Sequence, residues 1–217
     1  MLLDRGGPML KPFLPQLQTT FVKALSDATF EVRDQAAIAL GKLMGMHTRV
    51  DPLVTELMSG INEATGGIQE AMLGALQRVL ISAGDKVKPE ILSKIAPTLF
   101  ELLQSDEENT RLIVSRCLAA YSKFCSPDEF ERIIKTELSV EAGDVKAQWK
   151  LRHAYTLTLE YILRYAFERV SSNEDLLRVA SNHVVAMLKD DKPPVKKAAI
   201  SCAESYLVLV GEQHPAF

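Results

Sequence analysis

Apolar residues recur along this chain with the period of a helix. In the stretch from Leu25 to Leu43, LSDATFEVRDQAAIALGKL, a short polar loop (Ser26 to Thr29) closes one apolar segment and Val32-Arg33 opens the next. Ala36, Ala37, Leu40 and Leu43 then fall three and four apart, the spacing that lines up side chains on one helical face. The same pattern returns downstream. Ile68-Gln69 precedes Met72, Leu73 and Leu76, and Thr110-Arg111 precedes Val114, Cys117 and Leu118. Leu151-Arg152 precedes Tyr155 and Leu159, and Val195-Lys196 precedes Ala199, Cys202 and Ala203. The starts, at 32, 68, 110, 151 and 195, lie 36, 42, 41 and 44 residues apart.

A period of roughly 40 to 47 residues belongs to HEAT and armadillo units, in which each helical pair buries its face against its neighbours. The reading is therefore all-α: a HEAT-type superhelix, or solenoid, of about five helical pairs. The pairs are expected at about 9–46, 51–83, 88–125, 126–170 and 173–212, between tails at 1–8 and 213–217. Punctuation along the chain supports these limits. Asp51-Pro52 reads as an N-cap followed by a first-turn proline, and Gly84 as a C-cap glycine. Pro97 falls inside the fifth helix and should bend or interrupt it. Ser126-Pro127-Asp128-Glu129 and Ser172-Asn173-Glu174-Asp175 are helix starts, and a long helix over about 145–169 carries Trp149, Tyr155, Tyr161, Tyr165 and Phe167.

Composition narrows the function. Lys and Arg number 25 against 28 Asp and Glu, for a net charge of −3, which does not suit sequence-specific nucleic-acid binding. No apolar run approaches the roughly 20 residues of a membrane span, and the N-terminus MLLDRGGPML lacks a signal peptide's apolar core. Three cysteines, Cys117, Cys125 and Cys202, lie on apolar faces without a CxxC or Cys/His pattern, as expected in a reducing, cytoplasmic setting. His47, His153, His183 and His214 are scattered without a spaced carboxylate or cysteine partner, and no phosphate-loop, dinucleotide, zinc-protease or nucleophile-elbow motif is present. These residues point to no catalytic site, metal or cofactor, and to a binding scaffold rather than an enzyme.

Two groups of cations stand out. Arg33, Arg111, Arg152 and Lys196 hold one position in four repeats, so stacking predicts a basic ladder that bonds to loop acids such as Asp27 and Asp106. A second set, Lys146, Lys150, Arg152, Arg164 and Arg169, is interleaved with the aromatics of the long helix. Such a set either packs that helix or meets an acidic surface or nucleic acid.

The segment LKPFLPQLQTTFVKAL, from Leu10 to Leu25, with Gly6-Gly7-Pro8 before it and VDPLVTEL and AMLGALQRVL after it, resembles the C-terminal HEAT array of the general control non-derepressible translational activator family. The likeness is close over about residues 5 to 85 and becomes generic HEAT character beyond about 105. It implies a non-catalytic, ribosome-associated cytoplasmic scaffold that activates the kinase of initiation factor two alpha in amino-acid starvation. It also implies that the partner of this region is the kinase's RWD domain, while ribosome contact falls to family segments absent from this chain. Polar positions within the matched segments, Lys11, Gln16, Gln18, Lys23, Lys42 and Arg49, are the expected partner-binding surface. A generic HEAT adaptor for protein–protein interaction is the second reading.

Overall fold

The computed structural model of the chain describes residues 12–138 and 148–213. Regular structure among the described residues is helical, without strands. The chain divides into two compact units, Met1–Thr98 and Leu99–Phe217.

Unit 1 contains α1 (Leu14–Ala24), α2 (Phe30–Met46), α3 (Asp51–Glu63), α4 (Gly66–Ala83), a 3₁₀ turn (Gly84–Lys86) and α5 (Pro89–Leu92). Helix α2 buries the expected face, since Ala36, Ala37, Leu40 and Leu43 are all shielded from solvent. A fully buried leucine such as Leu40 contributes about 1.5–3 kcal/mol over an exposed one. The second helices of the two pairs, α2 and α4, pack on each other with very little space between backbones. A Cβ placed on Gly41 would meet Arg78 Cβ at 2.7 Å and the Arg78 backbone at 3.2 Å, so only glycine fits that crossing.

Helix α6 (Ile95–Leu102) leads into unit 2, which holds α7 (Glu108–Ser122), α8 (Pro127–Arg132), a π turn (Ile133–Glu137), α9 (Trp149–Ser171), α10 (Glu174–Leu188) and α11 (Pro193–Gln213). Helix α9 packs against α7, α10 and α11. All three cysteines are buried and unpaired. The Ser126 hydroxyl accepts from the Glu129 N–H at 3.2 Å, and the Asn173 carboxamide oxygen accepts from Asp175 and Leu176 at 3.0 and 3.4 Å, so both helix starts are capped by side chains.

Several local expectations are revised. The fifth predicted helix is two segments, α5 and α6, separated at Ser93-Lys94. Pro97 explains the place of the break, because its ring would collide with the carbonyl four residues earlier, on Ser93. Asp51 is not an N-cap: it is the first residue of α3, and its carboxylate instead accepts from the Lys88 N–H at 3.0 Å, tying one repeat to the next. Gly84 does not adopt a left-handed C-cap conformation (φ −63°), since the chain tightens there into the 3₁₀ turn. Gly66, at φ +58°, opens α4. The seventh predicted helix widens after Arg132 into a π turn, closed by the Leu138 N–H to the Ile133 carbonyl at 2.9 Å. Helix α9 also contains a non-helical residue, Ala166.

Candidate partner-binding surfaces

The described residues contain no group of three or more His, Cys, Asp and Glu side chains able to hold a metal ion. Burial pushes the Cys125 thiol up to about 11 and the Cys202 thiol up to about 12, so both stay protonated and unreactive near neutrality. His183 is buried with its Nε2 3.1 Å from the Thr156 hydroxyl. That hydroxyl already donates to the Arg152 carbonyl at 2.8 Å, so the imidazole N–H must be the donor to it. Burial pulls the His183 pKa down to about 4, and the ring is a neutral core group. His47 is half-buried in the loop after α2, and His214 lies outside the described residues.

The repeated cations separate into different roles. Arg33 donates to the carbonyls of Asp27 and Ala28 at 2.8 and 3.1 Å, and Arg111 donates to those of Ser105 and Asp106, both at 2.8 Å. Both therefore fold back to satisfy the carbonyls that follow the preceding helix, whereas the expectation had them on loop carboxylates. Gly67 gives Arg33 its room: a Cβ there would stand 2.7 Å from Nη2. Arg152 takes a carboxylate, bonding both oxygens of Asp190 at 2.5 and 3.0 Å with the pair almost fully buried. Its guanidinium holds the Asp190 carboxyl below the usual range. Lys196 is exposed on the first turn of α11.

The basic set of α9 is similarly taken up by the fold. Lys150 pairs with Asp106 at 2.6 Å, and Arg164 with buried Glu160 at 2.6 Å. Arg169 donates to the Ser122 carbonyl at 2.6 Å and lies 4.3 Å from the Phe130 ring centroid. Lys146 lies outside the described residues. The described cations of this helix are thus internal ties, which leaves little free positive charge for nucleic acid.

Among the described residues, each unit carries a broad open groove. In unit 1, a groove of about 570 Å³ runs between α1 and α2, with an apolar wall that includes Phe21, Val32 and Ala39. Lys42, one of the matched polar positions, lines it and is exposed. Gln16 and Lys23 are exposed on α1, seven residues apart and so on one face, while Gln18 is half-buried. Arg49 is exposed in the loop after α2, and Lys11 lies outside the described residues. In unit 2, a groove of about 620 Å³ crosses α7, α9 and α11. Sequence reasoning passed over it, although its lining residues Glu108 and Leu112 on α7, and His153, Leu157 and Tyr161 on α9, already stood at helical i, i+4 spacing.

Known proteins give this helical architecture its family. Residues 51–213 match the family model described as stalled ribosome sensor GCN1-like, HEAT repeats. The chain belongs to this GCN1-like HEAT-repeat family. Membership rests on sequence reaching through α11, well past the N-terminal segments that carry the resemblance. The stalled ribosome sensor GCN1 of Mus musculus is 38% identical over 205 residues, covering 92% of this chain and 7% of that protein. Protein ILITYHIA of Arabidopsis thaliana is 34% identical over 201 residues, with the same coverage of 92% and 7%. The eIF-2-alpha kinase activator GCN1 of Dictyostelium discoideum is 32% identical over 216 residues, covering 96% of this chain and 8% of its own length. The chain therefore spans less than a tenth of the length of these relatives. Among solved structures, the MAST/Orbit N-terminal domain superposes with a TM-score of 0.52 at 18% identity, over 89% of this chain and 84% of that one, a likeness of fold alone.

Proposed function

We propose that this chain is a kinase-docking segment of a GCN1-like activator, and that it binds the RWD domain of the initiation factor two alpha kinase in the cytoplasm during amino-acid starvation. The observation that carries the reading is the match of 96% of the chain to a protein named as an eIF-2-alpha kinase activator. The surface that serves it is the exposed polar set of unit 1, Gln16, Lys23, Lys42 and Arg49, with Lys42 beside an apolar groove of the kind that buries a partner's anchor residue. Ribosome association is assigned to parts of the family protein outside this chain.

Titration of the chain with a purified RWD domain tests the reading. Binding is expected, and Lys42→Glu combined with Arg49→Glu should weaken it, most visibly at low salt, because exposed charges are screened within about 10 Å at 0.1 M. Both positions are exposed, so the same double change should leave stability within about 0.5 kcal/mol per site. A chain that fails to bind the RWD domain overturns the kinase-docking role and leaves the generic adaptor.

A further inference from the structure

Within each unit the second helices of successive pairs, α2 with α4, α7 with α9 and α9 with α11, meet in one register. Counted from the repeat starts at 32, 68, 110, 151 and 195, Arg78, Tyr161 and Ser205 all stand ten residues on. Each touches the preceding second helix at the position six, nine or thirteen residues on. Arg116 Nε donates to the Tyr161 hydroxyl at 3.2 Å, Arg164 Nε donates to the Ser205 hydroxyl at 3.3 Å, and a Cβ on Gly41 would meet Arg78 Cβ at 2.7 Å. Six, nine and thirteen are three and four apart, so they form one stripe. Every second helix thus has a trailing stripe for the helix after it and a leading stripe for the helix before it.

One stripe of each kind is open. Along the trailing stripe, the residues five and twelve after the start are buried on α2 (Ala37, Met44), α7 (Ser115, Ser122) and α9 (Thr156, Leu163). On α11 the same two positions hold Ile200 and Leu207, 52% and 68% exposed, and exposed Val208 follows. Along the leading stripe, the residue seven after the start is fully buried on α4, α9 and α11, as Ala75, Thr158 and Cys202. On α2 it is Ala39, half-buried in the wall of the apolar groove between α1 and α2. The charges also correspond. Lys42, ten residues after its start, falls in this register among Ser201, Glu204 and Val208, the residues six, nine and thirteen after the start on α11. Lys42 and Glu204 are both exposed.

We propose that the chain binds a second copy of itself, the open stripe of α11 in one copy seating in the groove between α1 and α2 of the other, with Ile200 and Leu207 on its apolar wall and Glu204 beside Lys42. A second copy is the occupant because the two open stripes are the two halves of a contact that the chain already makes within itself, and they carry opposite charges where they would meet. The contact is heterologous, so every pair of copies keeps one stripe of each kind open and association continues past the dimer. This goes beyond the RWD-binding role and is read on the chain alone, without the kinase.

Sedimentation velocity of the intact chain over a rising concentration series tests it. Growth from monomer through dimer to larger species is expected. Leu207→Glu should weaken association about tenfold or more while leaving the circular-dichroism melt in place, because the residue is exposed. Glu204→Lys and Lys42→Glu should each weaken it about three- to tenfold, since each sets like charges against one another. An equimolar mixture of those two variants should recover the association of the unaltered chain, because every contact between unlike copies again pairs opposite charges. That recovery also shows that both variants are folded. A monomer at every concentration, a dimer that grows no further, or a mixture no more associated than its components would each overturn the proposal.

Discussion

Units 1 and 2 are built from the same kind of helical pair, but the side-chain ties inside each differ in burial. In unit 1 the ties end on backbone or on half-exposed charges. Arg33 satisfies loop carbonyls beside Gly67, and Lys86 reaches the carbonyls of Gly45 and His47 at 3.0 and 3.1 Å. Arg78 pairs with Asp34 at 2.9 Å while both side chains remain about one-third exposed. Unit 2 has carbonyl ties too, at Arg111 and Arg169, but adds buried side-chain partners: Arg152 with Asp190, the buried Glu160 carboxylate with Ser201 and half-exposed Arg164, and Thr156 with His183. A repeat fixed through carbonyls tolerates changes in its charges, because the backbone acceptor is always present. One fixed by a buried ion pair depends on both partners staying ionised.

The sharpest test of this contrast is Arg152→Ala. It strands the buried Asp190 carboxylate and should cost about 3–5 kcal/mol, the usual result of breaking a buried pair from one side. The chain's single tryptophan, Trp149, packs on the cluster of Met187, Val195 and Ala199 in unit 2, so urea unfolding followed by its fluorescence reads that unit. An unchanged midpoint would remove the distinction between the units.

Acid should act next most strongly, again on unit 2. His183 titrates near 6.5 when unfolded and at about 4 when folded, so the unfolded chain binds the extra proton between those values. Stability from the neutral ring is full above about 6.5, declines as pH falls toward 4 and levels off below it. At about 1.4 kcal/mol per pH unit the loss approaches about 3 kcal/mol. The depressed Asp190 carboxyl adds its own loss lower down, as pH falls from the unfolded carboxylate range through its folded value. His183→Gln should flatten the tryptophan-detected unfolding midpoint between pH 6.5 and 4, and an unaltered slope would refute the assignment.

Arg78→Ala should have the smallest effect, about 0–1 kcal/mol in the circular-dichroism melt, because an ion pair this exposed is heavily screened. A loss as large as that of Arg152→Ala would erase the comparison from the other side.

How much of this was legible depends on the distance between cause and effect in the sequence. Helix α2 ends at Met46, the limit expected for the first pair, and the Ser126 cap is legible because its partner is three residues away. The fifth helix was marked as broken by Pro97, yet the break falls four residues earlier, where the clash occurs. Nothing around Ala166 signals its departure from helix, since the sequence ILRYAFERV holds neither proline nor glycine. The recurrence of Arg33, Arg111 and Arg152 was visible as a pattern, but its meaning was not. Two of them choose carbonyls five or six residues back, and the third chooses a carboxylate 38 residues ahead. Residue spacing does not distinguish those acceptors. The groove of unit 2 was hidden for a related reason, as it forms from three helices whose lining residues are separated by about one repeat each.

The three cysteines have a consequence for oxidising or alkylating conditions. Cys117, Cys125 and Cys202 all belong to unit 2, all are buried, and burial holds Cys125 and Cys202 well above the ordinary thiol range. A thiol reagent reaches them only when that unit opens, so the labelling rate of the native chain measures how often its core breathes. Unit 1 contributes nothing to that signal, because it contains no sulfhydryl group.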